Sequence, residues 1–201
     1  MLVLRSSGAS PFGRKVRIAA AMLNLDGDLE VVEADTSNPD DSLRRQNPLG
    51  KVPALIVETG DVLYDSAVIV EYLDWRAGGG RIIPAEPRAR FRSLTRAALA
   101  DGVCEAAVLM RYEAMWREPD MRSSKWLAYH GDKIDRALAA SEADPPEEIA
   151  DVATIALACA LGYLDLRFGG EWRPKHPKLV DWLAAFAEAA PSFGATAMRP
   201  A

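Results

Sequence analysis

The chain has 201 residues, 49% hydrophobic and 26% charged, enough apolar side chain for a packed core and not the composition of a disordered chain. With 24 basic and 29 acidic residues its formal charge is −5, which argues against a basic nucleic-acid binder. Cys104 and Cys159 are its only cysteines and His130 and His176 its only histidines, which argues against a disulfide framework, a CxxC motif and a histidine-cluster metal site.

Leu2-Val3-Leu4, closed by Ser6-Ser7-Gly8, predicts a first strand. Val16, Ala19, Ala20 and Leu23 at helical spacing predict a helix over residues 11–25. Val31-Val32 predict a second strand over residues 29–34, and a polar stretch follows with a short helix around residues 42–45. Residues 53–57 and 62–64 are β-type runs on either side of Glu58-Thr59-Gly60-Asp61, a hairpin signal. Val68, Ile69 and Tyr72 predict a compact helix over residues 66–75. The order β-α-β-(α)-β-β-α predicts two parallel strands joined across a helix, with a hairpin added at the edge.

Gly78-Gly79-Gly80, Pro84 and Pro87 predict a linker. Beyond it every segment reads as helix. Residues 88–116 carry Leu99, Val103, Ala106 and Met110 on one stripe, and residues 125–143 carry Leu127, Ile134 and Leu138. Residues 149–161 are apolar nearly all round, as in the centre of a bundle. Residues 177–190 carry Leu179, Leu183, Phe186 and Ala190, and Pro191 stops them. The expected organisation is an α+β domain over 1–77, a linker over 78–87 and an all-helical domain over 88–201. Met1-Leu2-Val3-Leu4 is too short for a secretory signal. Residues 152–164, the most apolar stretch, fall short of the ~20 residues of a membrane span. A soluble, reduced, cytoplasmic protein without nucleic-acid or membrane partners is the expectation.

Three stretches carry candidate chemistry. In Ser10-Pro11 a favoured N-cap precedes a favoured first helical residue, which puts the Ser10 hydroxyl and free N–H groups at the C-terminal edge of the sheet, where anions bind well. Ser10 also has a plain reading as a cap alone. Arg14, Lys15 and Arg17 then crowd the first turns of the helix, where cations oppose its dipole. Such irregularities gather at functional sites, although a solvated basic face explains them too. Asn47-Pro48-Leu49-Gly50-Lys51-Val52-Pro53 is a rigid loop entering a strand. Val52-Pro53 is a candidate cis bond, and Pro53 donates no ladder hydrogen bond, so the edge at Val52 is open to an extended ligand. In Asp65-Ser66, Ser66 reads as an N-cap and Asp65 as a receiver for an ammonium group; a cap beside a turn aspartate is the plain alternative.

Taken together, Ser10-Pro11-Phe12 with Arg14-Lys15-Val16-Arg17, residues 47–53, Asp65-Ser66 with Ile69 and Tyr72, and residues 149–153 resemble the glutathione S-transferase superfamily over essentially the whole chain. Ala98 to Gly102 and Asp151 to Tyr163 look like its bacterial Ser-Pro-Phe members. The resemblance implies a thioredoxin-like domain followed by an all-helical one, glutathione as co-substrate, no metal, and a homodimer. It implies that Ser10 faces the glutathione sulfur, with Ser7 as the alternative after a small loop shift. It also implies that Val52, before a cis Pro53, pairs its backbone with the cysteinyl unit. Lys51 would lie near the glycyl carboxylate, and Asp65 and Ser66 would hold the γ-glutamyl group. Phe12, Val103, Met110 and Trp116 are the candidate lining of an electrophile pocket. The implied activity is addition of the glutathione thiolate to a small hydrophobic electrophile, as in detoxification. The alternatives are a glutathione-dependent isomerase or dehalogenase, or a non-catalytic partner-binding relative. A serine at position 10 forms no mixed disulfide, which disfavours thiol–disulfide exchange. One departure is Glu148, where the family usually caps the buried helix with Ser or Thr.

Overall fold

The computed structural model describes residues 1–147 and 151–199. Its sheet has the order β2-β1-β3-β4, formed by β1 (Leu2–Ser6), β2 (Leu29–Glu33), β3 (Ala54–Ile56) and β4 (Val62–Leu63). β1 runs parallel to β2 with Leu4 opposite Val31, and antiparallel to β3 with Leu4 opposite Leu55. The β3–β4 hairpin turns through Gly60, whose φ of 89° suits a residue without a Cβ. This is the mixed sheet that the strand pattern predicts. β1 is central, which is why Leu2 and Leu4 are fully buried while Val31 on the β2 edge is exposed.

Helix α1 (Pro11–Met22) joins β1 to β2, with a short helix α2 (Leu43–Gln46) and α3 (Ser66–Arg76) completing this half. Gly13 lets α1 start hard against the end of the sheet: a Cβ there would come within 1.9 Å of the Ser6 hydroxyl oxygen. The helical half holds α4 (Pro87–Trp116), α5 (Ser124–Ala143), α6 (Val152–Phe168), α7 (Pro177–Ala189) and the short α8 (Pro191–Ala195). The architecture is a thioredoxin-like α+β unit followed by a helical bundle.

α6 is buried along most of its length, as its pattern predicts. Its cap is Asp151, which accepts from Thr154 N at 2.9 Å while Thr154 Oγ1 accepts from Asp151 N at 3.1 Å. The cap expected at Glu148, and the helix start expected at Ile149, lie outside the described residues. α4 meets α6 along small residues, Ala97, Ala100, Cys104 and Ala107, all buried. That close approach rotates the expected stripe: Leu99 is turned out and 40% exposed, while Val103 and Ala106 stay buried.

The cations of α1 correct the sequence reading. Lys15 is 1% exposed, and its Nζ donates to both carboxylate oxygens of Asp101 on α4 at 2.8 and 2.7 Å. Arg14 is also buried; it donates to Phe193 O at 2.5 Å and to Thr196 Oγ1 at 3.4 Å, and stacks 3.8 Å from the Phe193 ring. Neither side chain forms a solvated face. Both join the two halves, and their partners lie 86 and about 180 positions away. The stretch expected as a linker is pinned as well. The Asp74 carboxylate accepts from Gly80 N, Arg81 N and Ile82 N, Ile82 and Ile83 are buried, and Val152 N donates to Ile82 O at 2.8 Å.

Candidate active site

Three loops from the sheet carry the residues singled out by sequence. The first leaves β1. Ser10 has an extended backbone, and its Oγ accepts from Gly13 N at 3.1 Å, so it is the N-cap of α1 with Pro11 as the first helical residue. That bond uses a lone pair of the hydroxyl. Its proton stays available to a ligand at a helix end whose partial charge is positive. Ser7 is committed differently: its carbonyl accepts from Ser10 N at 3.1 Å and from the Ser6 hydroxyl at 3.4 Å. The loop is also held from the far end of the chain, because Arg199 N donates to Gly8 O at 3.1 Å.

The second loop is fixed by Asn47, which is buried. Its Nδ2 donates to Lys51 O at 2.8 Å and its Oδ1 accepts from Leu49 N at 3.0 Å. Gly50 takes a φ of 61° to close the turn. The Val52-Pro53 bond is cis. Val52 stands just ahead of the ladder, which begins where Ala54 pairs with Arg5, and Lys51 is exposed beside it.

The third loop enters α3. The cap is Asp65, not Ser66: Asp65 has the extended backbone, and its Oδ1 accepts from Ala67 N at 3.0 Å. Ser66 is already helical and buried. The cap sits one residue early because the carboxylate reaches the second N–H of the helix from outside it. Asp65 itself is exposed, so its remaining oxygen faces solvent.

Of the four residues expected to line an electrophile pocket, Phe12, Val103 and Met110 belong to one apolar cluster and Trp116 stands outside it. Val103 is sealed in the core, and Met110 and Phe12 pack against that core while partly exposed. Trp116 is 66% exposed and lines a groove of about 440 Å³ with Leu109, Tyr112 and Trp126. The face of α4 turned to α1 is instead the one marked by Asp101, the partner of Lys15. Val108 and Tyr112 lie about two and three further turns along that face. A stripe counted from apolar residues finds the bundle side of α4, since the side toward α1 is signed by an ion pair across 86 positions.

Neither cysteine is a reactive thiol. Both are buried; burial pushes Cys159 up to about 12 and Cys104 well above its ordinary range, so both stay protonated near neutral pH. Among the described residues, no group of three or more His, Cys, Asp or Glu is placed to hold a metal, and no helix is long and apolar enough to cross a membrane.

Comparison with known proteins agrees with this geometry. The model of the glutathione S-transferase N-terminal domain matches residues 4–81. The uncharacterized GST-like protein YibF of Escherichia coli is 33% identical over 183 residues, covering 88% of this chain and 89% of its own. A glutathione transferase family member from Pseudomonas fluorescens Pf-5, solved with bound glutathione, is 43% identical with a TM-score of 0.93 over 100% of both chains. Its structure with S-(propanoic acid)-glutathione aligns at 42% identity and a TM-score of 0.89, over 99% of this chain and 100% of that one. A glutathione S-transferase from Methylobacillus flagellatus KT, also with glutathione bound, is 36% identical with a TM-score of 0.91, over 99% of this chain and 100% of that one.

Proposed function

The chain belongs to the glutathione S-transferase superfamily, and from that premise we propose that it is a glutathione transferase whose Ser10 hydroxyl holds the glutathione sulfur as a thiolate. The observation that carries this reading is the Ser10 hydroxyl at the N-terminus of α1, used as an acceptor by Gly13 N and free to donate. Ser7 is the weaker choice, since Ser10 is the residue placed at the helix end.

The energetics support thiolate formation without a general base. A free thiol has a pKa of about 8.5, and bringing it down by about two units takes roughly 2.7 kcal/mol. A hydrogen bond to a charged acceptor contributes about 1.5–3 kcal/mol. The helix N-terminus adds about 0.3–2 kcal/mol. The thiolate then attacks a carbon of the electrophile: sulfur supplies the electron pair of the new C–S bond, and the pair displaced at that carbon either leaves with the departing group or shifts to the far end of an activated double bond, which takes a proton from water.

The same reading places the tripeptide backbone against Val52 ahead of Pro53, its glycyl carboxylate toward Lys51, and its γ-glutamyl end at Asp65 and Ser66. Exposed Lys51 and exposed Asp65 offer opposite charges for the two ends of an extended zwitterion. The P. fluorescens relative solved with an S-substituted glutathione supports a site that continues past the sulfur. We place the domains at 1–77 and 88–201, joined by 78–87, in a cytoplasmic homodimer.

The test is Ser10→Ala. Glutathione still binds, but the ultraviolet absorbance of the bound thiolate titrates one to two pH units higher than in the parent protein. An unchanged titration removes Ser10 from the mechanism.

A further inference from the structure

Two arginines stand at one end of the seam between α4 and α6 with no acid assigned to them. α4 and α6 run parallel. Ser93 Oγ donates to Asp151 Oδ2 at 2.7 Å near the start of each helix, and Cys104 and Tyr163 are electrostatic neighbours further along. Arg111 follows Ser93 by about five full turns, so it occupies the same face of α4, roughly 27 Å along. Arg167 follows Asp151 by roughly 24 Å along α6, one turn beyond Tyr163, whose ring lies 5.7 Å from its guanidinium. Both arginines therefore reach the same end of the seam.

Neither has an ion-pair partner among the described residues. The acids beside them are engaged elsewhere: Glu113 by Arg117 and by Ser123 N, Asp165 by Arg173 and the Trp172 indole. Nε of Arg167 is buried without a hydrogen-bond partner. Arg167 has the neutral Tyr163 beside it but no counter-charge, and a guanidinium held partly out of water without one is costly unless a ligand supplies it.

That end is the one facing Ser10. α1 runs antiparallel to α6: Leu23 O at its C-terminus accepts from Arg81 next to Ile82, which binds Val152 at the start of α6, while Arg14 packs on Gly162. From the Lys15–Asp101 pair, Ser10 lies roughly 7 Å toward this end along α1 and Arg111 roughly 15 Å along α4. The arginines stand beyond the helix mouth, where a substituent on the sulfur would project.

We propose that the electrophile taken at this site carries an anionic group, a carboxylate in the simplest case, and that Arg111 and Arg167 are the specificity-determining residues that bind it. This rests on the glutathione-transferase reading above and names its substrate class.

The test is titration calorimetry on the full chain with glutathione, S-(4-carboxybenzyl)glutathione and its neutral isostere S-(4-carbamoylbenzyl)glutathione. The acid is expected to bind at least tenfold more tightly than the amide, the size of one charge-assisted hydrogen bond. In the double variant Arg111→Gln/Arg167→Gln that ratio collapses toward one while amide affinity is retained, which also shows that the variant is folded. Equal affinities in the parent protein, or a ratio that survives in the variant, overturn the proposal and leave the transferase reading standing. Failure of glutathione and both conjugates to bind the parent protein overturns both.

Discussion

Lys15 turns an oddity of sequence into a measurable quantity. Its ammonium is buried and hydrogen-bonded to both oxygens of Asp101, whose side chain is 21% exposed. Replacing Asp101 with Asn keeps the shape and one acceptor but leaves a buried cation without its counter-charge. Removing one partner of a buried pair costs about 3–5 kcal/mol. The partial exposure of Asp101 and the retained amide oxygen put this case at the low end, about 3 kcal/mol. At roughly 2–4 °C per kcal/mol for a chain of this size, Tm falls by about 6–12 °C. Denaturant and thermal unfolding at a fixed protein concentration give the numbers. The double variant Lys15→Met/Asp101→Leu removes both charges and recovers to within about 1 kcal/mol of the parent, because an apolar pair of similar volume replaces a desolvated ionic one. A loss below about 1 kcal/mol in Asp101→Asn, or a double variant as unstable as the single, refutes the assignment of the α1 cations as inter-half struts.

Asp74→Ala strips three backbone N–H groups of the 80–82 segment of their acceptor, and about 2–4 kcal/mol of stability goes with it. Hydrogen exchange at Gly80, Arg81 and Ile82 should accelerate in step, and unchanged protection there contradicts the role. His130 gives a pH dependence. It is buried among Trp126 and Tyr129 with neither ring nitrogen partnered, and burial first, then Lys133, lowers its pKa below the usual value near 6.5. The unfolded chain therefore takes up the proton first, so the contribution of neutral His130 is complete above about pH 6.5 and is lost as pH falls through its folded value. His130→Phe should flatten that limb of a stability-versus-pH curve, and an identical slope in the variant counts against it.

Local rules written in short stretches determined much of this molecule. The Ser10-Pro11 cap, the alternation of strands and helices through α3 and the all-round apolar α6 each follow from a few neighbouring residues. The cap at Asp65 escaped by one position, because Asp and Ser both cap well and only backbone angles separate them. Tertiary structure alone decided which face of α4 is turned to α1 and why α1 tolerates cations at its positive end. Those outcomes depend on pairs such as Lys15 with Asp101 and Ser93 with Asp151, brought together across 86 and 58 positions by packing. Helical periodicity records that a face is buried but not what it is buried against, so the partner becomes known only when the helices dock.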